Sequence, residues 1–224
     1  MQKRLMITED GSHTLRVDGL NEHYHSTYGA LSESLHVFIE AGLHKKLDDL
    51  PQKLHILEIG FGTGLNALLT LLDEQSRGCD IYYTGLEAFP LEADLWQGLN
   101  YPGLLTDKKA GELFSKLHTA EWGNQIEIVP GFTLTKIQQK LENYQHIGSM
   151  ADIIYFDAFG PDVQPELWTE EIFQRIADIT SPGGILVTYS CKGTVKRALK
   201  AAGFEIEKIP GPKGKREMLR GVKF

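Results

Sequence analysis

Short apolar runs alternate with stretches of helical periodicity along most of this chain. The runs "LHILEI" (54–59), "IYYTGLE" (81–87), "IEIV" (126–129), "DIIYFDA" (152–158) and "GILVTYS" (184–190) are rich in Ile, Val and Tyr. They read as buried strands. Between them, 65–75, 91–99, 108–120, 133–143, 166–180 and 192–202 place apolar residues at helical spacing. Strictly alternating strands and helices predict parallel pairing with right-handed crossovers, an α/β doubly wound sheet. "FEIEKI" (204–209) and "REMLRGVKF" (216–224) follow with only turn residues between them, and predict an antiparallel hairpin on the sheet edge.

Five parallel strands closed by a hairpin outline a class I methyltransferase sheet of Rossmann-like type. A dinucleotide-binding fold normally continues to a sixth parallel strand. The first 50 residues stand outside the alternation. "TEDGSHTLRV" predicts a hairpin turning at Asp10-Gly11, and "ALSESLHVFIEAGL" (30–43) a helix with Gly42 near its end. Residues 1–50 therefore read as a hairpin-and-helix cap on a methyltransferase domain of 51–224, the two forming one compact unit.

Composition narrows the setting. No stretch approaches the ~20 apolar residues that span a bilayer, and "MQKRLMITEDGSH" lacks the apolar core of a signal peptide. Cys79 and Cys191 form no C-x-x-C pair. Both points fit a cytoplasmic protein without a membrane partner. The net charge of −7 argues mildly against a nucleic-acid partner. From Lys192 to the end, however, ten Lys/Arg face only Glu205, Glu207 and Glu217. A local basic face can hold phosphates, or can be an ordinary solvated surface.

The candidate chemistry starts at "ILEIGFGTGLN". Gly60, Gly62 and Gly64 allow a sharp turn and a close ligand approach in front of a helix N-terminus. Glu58 stands two residues before the first glycine, where a carboxylate repels a pyrophosphate. It suits a ligand with a cationic amino-acid end, which favours S-adenosyl-L-methionine over a nicotinamide cofactor. Asn66, in the first helical turn, joins this cofactor-binding set. Glu87 closes the second strand, where an acid accepts hydrogen bonds from ribose hydroxyls. After "IEIV", Gly131-Phe132 offers no acid for an adenine amino group; Phe132 packs on the adenine or belongs to the core.

"FDAFGPDVQPELW" closes the fourth strand with Asp157 at the sheet edge where open α/β folds bind ligands. Methyl transfer requires a lone pair aimed at a sulfonium carbon. A carboxylate can accept the N–H bonds of an acceptor amine and stabilise the ammonium that forms. Asp157 is the candidate for that role, with Phe159 and Pro161 beside the acceptor and Trp168 as pocket wall or core aromatic. His23 and His25 have no further His/Cys cluster nearby, so no metal is expected.

Several of these stretches, "DGSHTLRV", "EHYHSTYGALSESLHVFIEAGL", "ILEIGFGTGLNALLT", "FDAFGPDVQPELW" and "GPKGKREMLRGV", resemble the methyltransferase part of the family of tRNA 5-methylaminomethyl-2-thiouridine biosynthesis proteins (MnmC type). The resemblance runs from about residue 8 to the end. It implies methylation of the exocyclic amine of 5-aminomethyl-2-thiouridine at the tRNA wobble position, with S-adenosyl-L-methionine as cofactor. It assigns Glu58, Gly60, Gly62, Gly64 and Glu87 to that cofactor, with Glu33 and Tyr24-His25-Ser26 nearby, and Asp157 to the acceptor amine. It also implies a functional link to upstream wobble-uridine modification enzymes. Bifunctional members carry a flavin-dependent oxidase; this chain ends at Phe224, so no flavin is expected. The resemblance recasts the basic C-terminus, with Lys192, Lys213, Lys215 and Arg216, as a tRNA-phosphate face. The alternative reading is a class I methyltransferase or aminopropyltransferase acting on a small-molecule or protein amine.

Overall fold

The computed structural model describes residues 2–224. Its strands are β1 (Lys3–Ile7), β2 (His13–Val17), β3 (Glu22–His23), β4 (Lys53–Ile59), β5 (Asp80–Glu87), β6 (Gln125–Val129), β7 (Phe132–Gln138), β8 (Ala151–Phe156), β9 (Thr180–Thr188), β10 (Phe204–Pro210) and β11 (Glu217–Lys223). The first three form a small antiparallel sheet, and the other eight form one sheet in the order β10-β11-β9-β8-β4-β5-β7-β6. Strands β9, β8, β4, β5 and β7 are mutually parallel. The terminal hairpin β10–β11 adds antiparallel to β9, as its turn-only linker predicts. Among the described residues no helix is long and apolar enough to cross a membrane.

Burial on both faces explains the near-continuous apolar strands. Along β4, Leu54 and Ile56 face one core layer, with Tyr83, Leu134, Tyr155 and the helix Leu65–Leu72. Leu57 and Ile59 face the other, with Phe156, Phe173 and Leu199. The chain runs from β4 outward to β5 and β7, then returns to build β8 and β9 on the other side. The C-terminal ends of β4 and β8 therefore meet at a switch in direction, where open α/β sheets leave a crevice.

The third parallel strand differs from the sequence expectation. "IEIV" is the antiparallel edge strand β6, and the parallel strand is β7, inside the predicted helix 133–143. Leu134, Ile137 and Leu141 mimic a helical repeat. In the fold, Phe132, Leu134 and Lys136 alternate inward instead. The alternation was hidden because its third inward residue is a lysine. Pro130-Gly131 supplies the hairpin turn, with Gly131 at φ +84°.

The N-terminal helix also runs further than expected. Helical residues continue from Ala30 through Leu47, and Leu35–His44 is wound as a π-helix. Gly42 is a packing contact, not a stop: a Cβ there would lie 3.1 Å from both Tyr155 and Val187. The β1–β2 hairpin turns where Asp10-Gly11 predicts, and Asp10 accepts the Ser32 N–H at 2.9 Å, tying the turn to the helix start.

Lys136 is only 1% exposed. Its ammonium donates to the His118 carbonyl and lies 4.7 Å from the Trp122 ring centre, with no carboxylate partner among the described residues. Burial lowers its pKa to about 8. Because the unfolded lysine holds its proton up to its ordinary value, the cost is full below pH 8 and fades as pH rises from there. Lys136→Met removes that cost at the expense of one cation–π contact and one hydrogen bond. We expect a gain of about 1 kcal/mol at pH 7, or roughly 2–4 °C in Tm. Thermal melts should show the gain shrinking towards pH 10; a loss of stability at pH 7 would contradict this account.

Candidate active site

The loop leaving β4 passes very close to the chain leaving β8. Gly60 has φ +92°, and a Cβ on it would sit 2.6 Å from the Asp157 carbonyl oxygen. Gly64, at φ +71°, is the left-handed residue that opens the helix Leu65–Leu72, and a Cβ there would meet His118 at 2.9 Å. Two of the three glycines are thus required by the chain's own packing. The loop then forms one wall of a cavity of about 410 Å³.

Glu87, at the end of β5, faces this cavity. Its carboxylate accepts the Gly62 N–H at 2.9 Å through one oxygen and the Phe89 N–H at 2.8 Å through the other. Each oxygen keeps a further lone pair for a ligand hydroxyl.

Glu58 does not face the cavity. It lies in the inward file of β4 after Leu54 and Ile56 and is fully buried beside the helix Leu65–Leu72. The expected direct contact with a cofactor's amino group is therefore corrected. Instead the Asn66 amide donates one proton to Glu58 Oε1 at 2.9 Å and the other to Asp157 Oδ2 at 2.8 Å. Burial pushes the Glu58 carboxyl well above the usual carboxylate range. Asn66 and Asp157 both line the cavity, so Glu58 acts on it through Asn66. Burial, then the nearby Glu33 carboxylate, raise the Asp157 pKa to about 7, against the opposing Asn66 hydrogen bond and Lys215 cation.

The opposite wall is built by the N-terminal segment and the C-terminal hairpin. Glu33 accepts the Ser26 N–H at 2.7 Å and pairs with Lys215 Nζ at 2.6 Å. Lys215 also lies 4.0 Å from the Tyr189 ring centre. Tyr24 and Phe159 meet edge to face at 5.2 Å and line the cavity. His25 is buried with Nε2 2.7 Å from Thr63 Oγ1, and burial lowers its pKa to about 4.

Other sequence assignments change. Phe132 begins β7, opposite Ile81 at the far end of the strands, and stacks on Tyr83 in the core, so it is no adenine wall. Pro161 lies outside the cavity lining. Trp168 is core, packed on Phe156, with its indole N–H donated to the Phe159 carbonyl at 2.8 Å. Of the presumed phosphate contacts, Lys192 pairs with Asp162, Lys213 with Glu9, and Lys215 turns inward to Glu33. Arg216 is exposed and, among the described residues, in no ion pair. Gln139 and Leu141, just past β7, line the cavity and were missed because that strand was misread. Tyr189, also missed, is the penultimate residue of "GILVTYS" and lines the cavity; its place just after the buried strand β9 was the available signal.

The donor set suits S-adenosyl-L-methionine. The cavity volume lies in the range of small-molecule sites. Glu87 has spare acceptor capacity at a strand end. Asn66 Oδ1 is buried without a partner among the described residues, an orphaned acceptor of the kind a cationic group satisfies.

Comparison with known proteins agrees with this chemistry. Residues 114–224 match a family model described as S-adenosyl-L-methionine-dependent methyltransferase. The chain is 34% identical over 210 residues, 89% of its length, to the tRNA 5-methylaminomethyl-2-thiouridine biosynthesis bifunctional protein MnmC of Pseudomonas savastanoi pv. phaseolicola, covering 32% of that protein. It is 31% identical over 227 residues, 96% of its length, to the MnmC of Chromobacterium violaceum, covering 34% of it. The chain thus spans about a third of the length of these curated relatives. The crystal structure of MNMC2 from Aquifex aeolicus shares the fold with a TM-score of 0.79 and 24% identity, over 98% of this chain and 69% of that one.

The raised pKa of Asp157 has a measurable consequence. Between the unfolded value and about pH 7 the folded state holds the extra proton, so stability falls as pH rises through that window and stays lower above it. Asp157→Asn removes the buried charge. We expect it to raise stability at pH 8 by on the order of 2 kcal/mol, roughly 4–8 °C in Tm, with less than half of that gain at pH 5. Equal gains at both pH values would contradict the assigned titration.

Proposed function

Since this chain belongs to the S-adenosyl-L-methionine-dependent methyltransferases, we propose that it methylates the exocyclic amine of 5-aminomethyl-2-thiouridine at the wobble position of tRNA. The observation that carries this reading is Asp157: a carboxylate at the end of β8, in the same cavity as the glycine loop and Glu87. The relatives that match nearly the whole chain are named for that modification, which supports the choice of acceptor.

The bound cofactor supplies an electrophilic methyl group on a sulfonium sulfur. Glu87 would hold its ribose hydroxyls, the Gly60–Gly64 loop, Gln139 and Leu141 would wall it, and Asn66 Oδ1 would accept from its ammonium. Asp157 accepts an N–H of the acceptor amine and so points the nitrogen lone pair at the methyl carbon. Asn66, backed by Glu58, fixes the Asp157 carboxylate and removes its rotational freedom. Tyr24 and Phe159 give the acceptor base an aromatic corner once it is splayed from the anticodon loop. Phosphates are met by Arg216 with Lys196, Arg197 and Lys200 of the helix Gly193–Ala201; none of these four is in an ion pair among the described residues. The same reading puts the chain in the cytoplasm, downstream of the enzymes that install the aminomethyl group.

The test uses tRNA from cells lacking this protein and S-adenosylmethionine with a labelled methyl group, followed by digestion to nucleosides. We expect label on 5-aminomethyl-2-thiouridine, at a rate that rises with pH through about 7 as Asp157 ionises, and a loss of at least about 100-fold with Asp157→Ala. Cofactor binding to the purified protein with no labelled nucleoside would overturn the tRNA reading and favour a small amine. Arg216→Ala should weaken tRNA binding and lower the salt dependence by about one phosphate contact, leaving cofactor affinity unchanged. An unaltered salt slope would remove Arg216 from the interface.

A further inference from the structure

Lys215 is, among the described residues, the one lysine lining the cavity. It is delivered by the loop joining β10 to β11, which is drawn onto the body at three points. Lys213 pairs with Glu9 at 2.9 Å. Gly214 lies against the Tyr28 ring, where a Cβ would come within 2.3 Å. Lys215 reaches Glu33 and the Tyr189 ring. The exposed Lys213–Glu9 pair contributes little. The Glu33 carboxylate is 8% exposed, so its pairing with Lys215 is the contact that fixes the loop.

The pair sits within a built arrangement around Asp157. The Tyr189 hydroxyl donates to the carbonyl of Ala158, the residue after Asp157, at 2.8 Å. The charged and titratable groups facing Asp157 are Glu33 from the N-terminal helix, Lys215 from the hairpin loop, Glu58 from β4, Tyr83 from β5, Tyr101 from the helix Tyr101–Leu104 and Tyr189 after β9. Glu33 and Lys215 act on Asp157 in opposite directions.

With Glu33, Asp157 and Lys215 all ionised, their charges sum to one negative unit, which matches one ammonium. Without Lys215 the sum is two negative units, and an entering primary amine is held protonated with no lone pair to give. Without Glu33, Lys215 is left to neutralise Asp157 itself.

Resting on the reading that the acceptor is an amine, we propose that Glu33 and Lys215 are a positioning pair for methyl transfer. Lys215 balances the second carboxylate, so that Asp157 faces the acceptor as a single net negative charge and takes its proton. In that sequence the acceptor ammonium gives one proton to the Asp157 carboxylate. Its freed lone pair forms the N–C bond as the S–C bond breaks, the sulfonium becomes a thioether, and the nitrogen carries the positive charge.

The test compares the full chain with Glu33→Gln, Lys215→Met and the double variant. One readout is the pH dependence of kcat/KM with aminomethyl-bearing tRNA. The other is the titration of the Asp157 carboxyl by ¹³C NMR in the free protein, identified by its loss in Asp157→Asn. Lys215→Met should move both the acid limb and the Asp157 titration upward by about half a pH unit or more, and Glu33→Gln should move them downward. The double variant should return close to wild type. Rates that fall with no movement, or movement in the same direction for both single variants, would reduce the pair to a structural tie and overturn the proposal. The NMR readout needs no acceptor. Opposed NMR shifts without labelled tRNA would fault the substrate reading and uphold the pair's action on Asp157. Labelled tRNA with an unmoved Asp157 titration would do the reverse.

Discussion

Everything in the site depends on how near the chain leaving β4 comes to the chain leaving β8. The approach is close enough to exclude a Cβ at Gly60. It follows from the switch in strand order: β4 and β8 are neighbours in the sheet but far apart in sequence, and both chains turn upward at the same edge. One side chain then exploits that nearness. Asn66, in the first turn of the helix after the glycine loop, spans from Glu58 on β4 to Asp157 after β8 with its two amide protons. An alanine there would leave two buried carboxyl groups without their shared donor. A glycine loop, a helix start and two strand ends are thereby one hydrogen-bonded unit.

That unit is costly in isolation. Glu58 and Asp157 are two acids in one poorly solvated region, and both are shifted towards the neutral form. The fold carries this strain on a sheet buried on both faces, where two core layers hold β4 and β8 in place. The result is a carboxyl group that changes charge near neutral pH in a walled cavity, as acid–base chemistry at neutral pH requires. The instability of Asp157 as an anion and its usefulness towards an amine have the same origin.

The sheet was largely legible in the sequence, because apolar strands, turn-only linkers and glycine spacing each have a local signature. The failures fall where local pattern and tertiary environment disagree. Lys136 occupies an inward position that an apolar residue would have announced, so β7 was read as helix. The residues following it, Gln139 and Leu141, were lost from the site with it. Glu58 was noticed but given the wrong partner. Its neighbours in the strand, Leu54 and Ile56, share its face, and that parity already directed the carboxylate into the core and not into the cleft. Asp157 follows the last buried strand residue and lines the cavity, the position its place at the strand end predicts.

The basic C-terminus shows a different limit. Ten cations in the last 33 residues look like a phosphate-binding face when read as a string. Charge counted along a sequence says nothing about the acids that folding brings from elsewhere. Glu9 and Glu33 lie about 200 residues upstream of their lysine partners, yet they engage two of the cations. Lys192 is engaged likewise by Asp162, while Arg220 pairs with Glu207 of the same stretch. What remains unpaired among the described residues is a smaller set, Arg216, Lys223 and the helix cations Lys196, Arg197 and Lys200. Lys213 and Lys215 instead join the C-terminal hairpin to the N-terminal segment beside the cavity. In the proposed reaction, an inward-facing lysine beside the carboxylate assigned to an acceptor amine alters the charge of the site itself. A lysine on the rim would act only on approach. Lys215 therefore belongs with the chemistry of Asp157, and the segments that hold it, first and last in the chain, close the site between them.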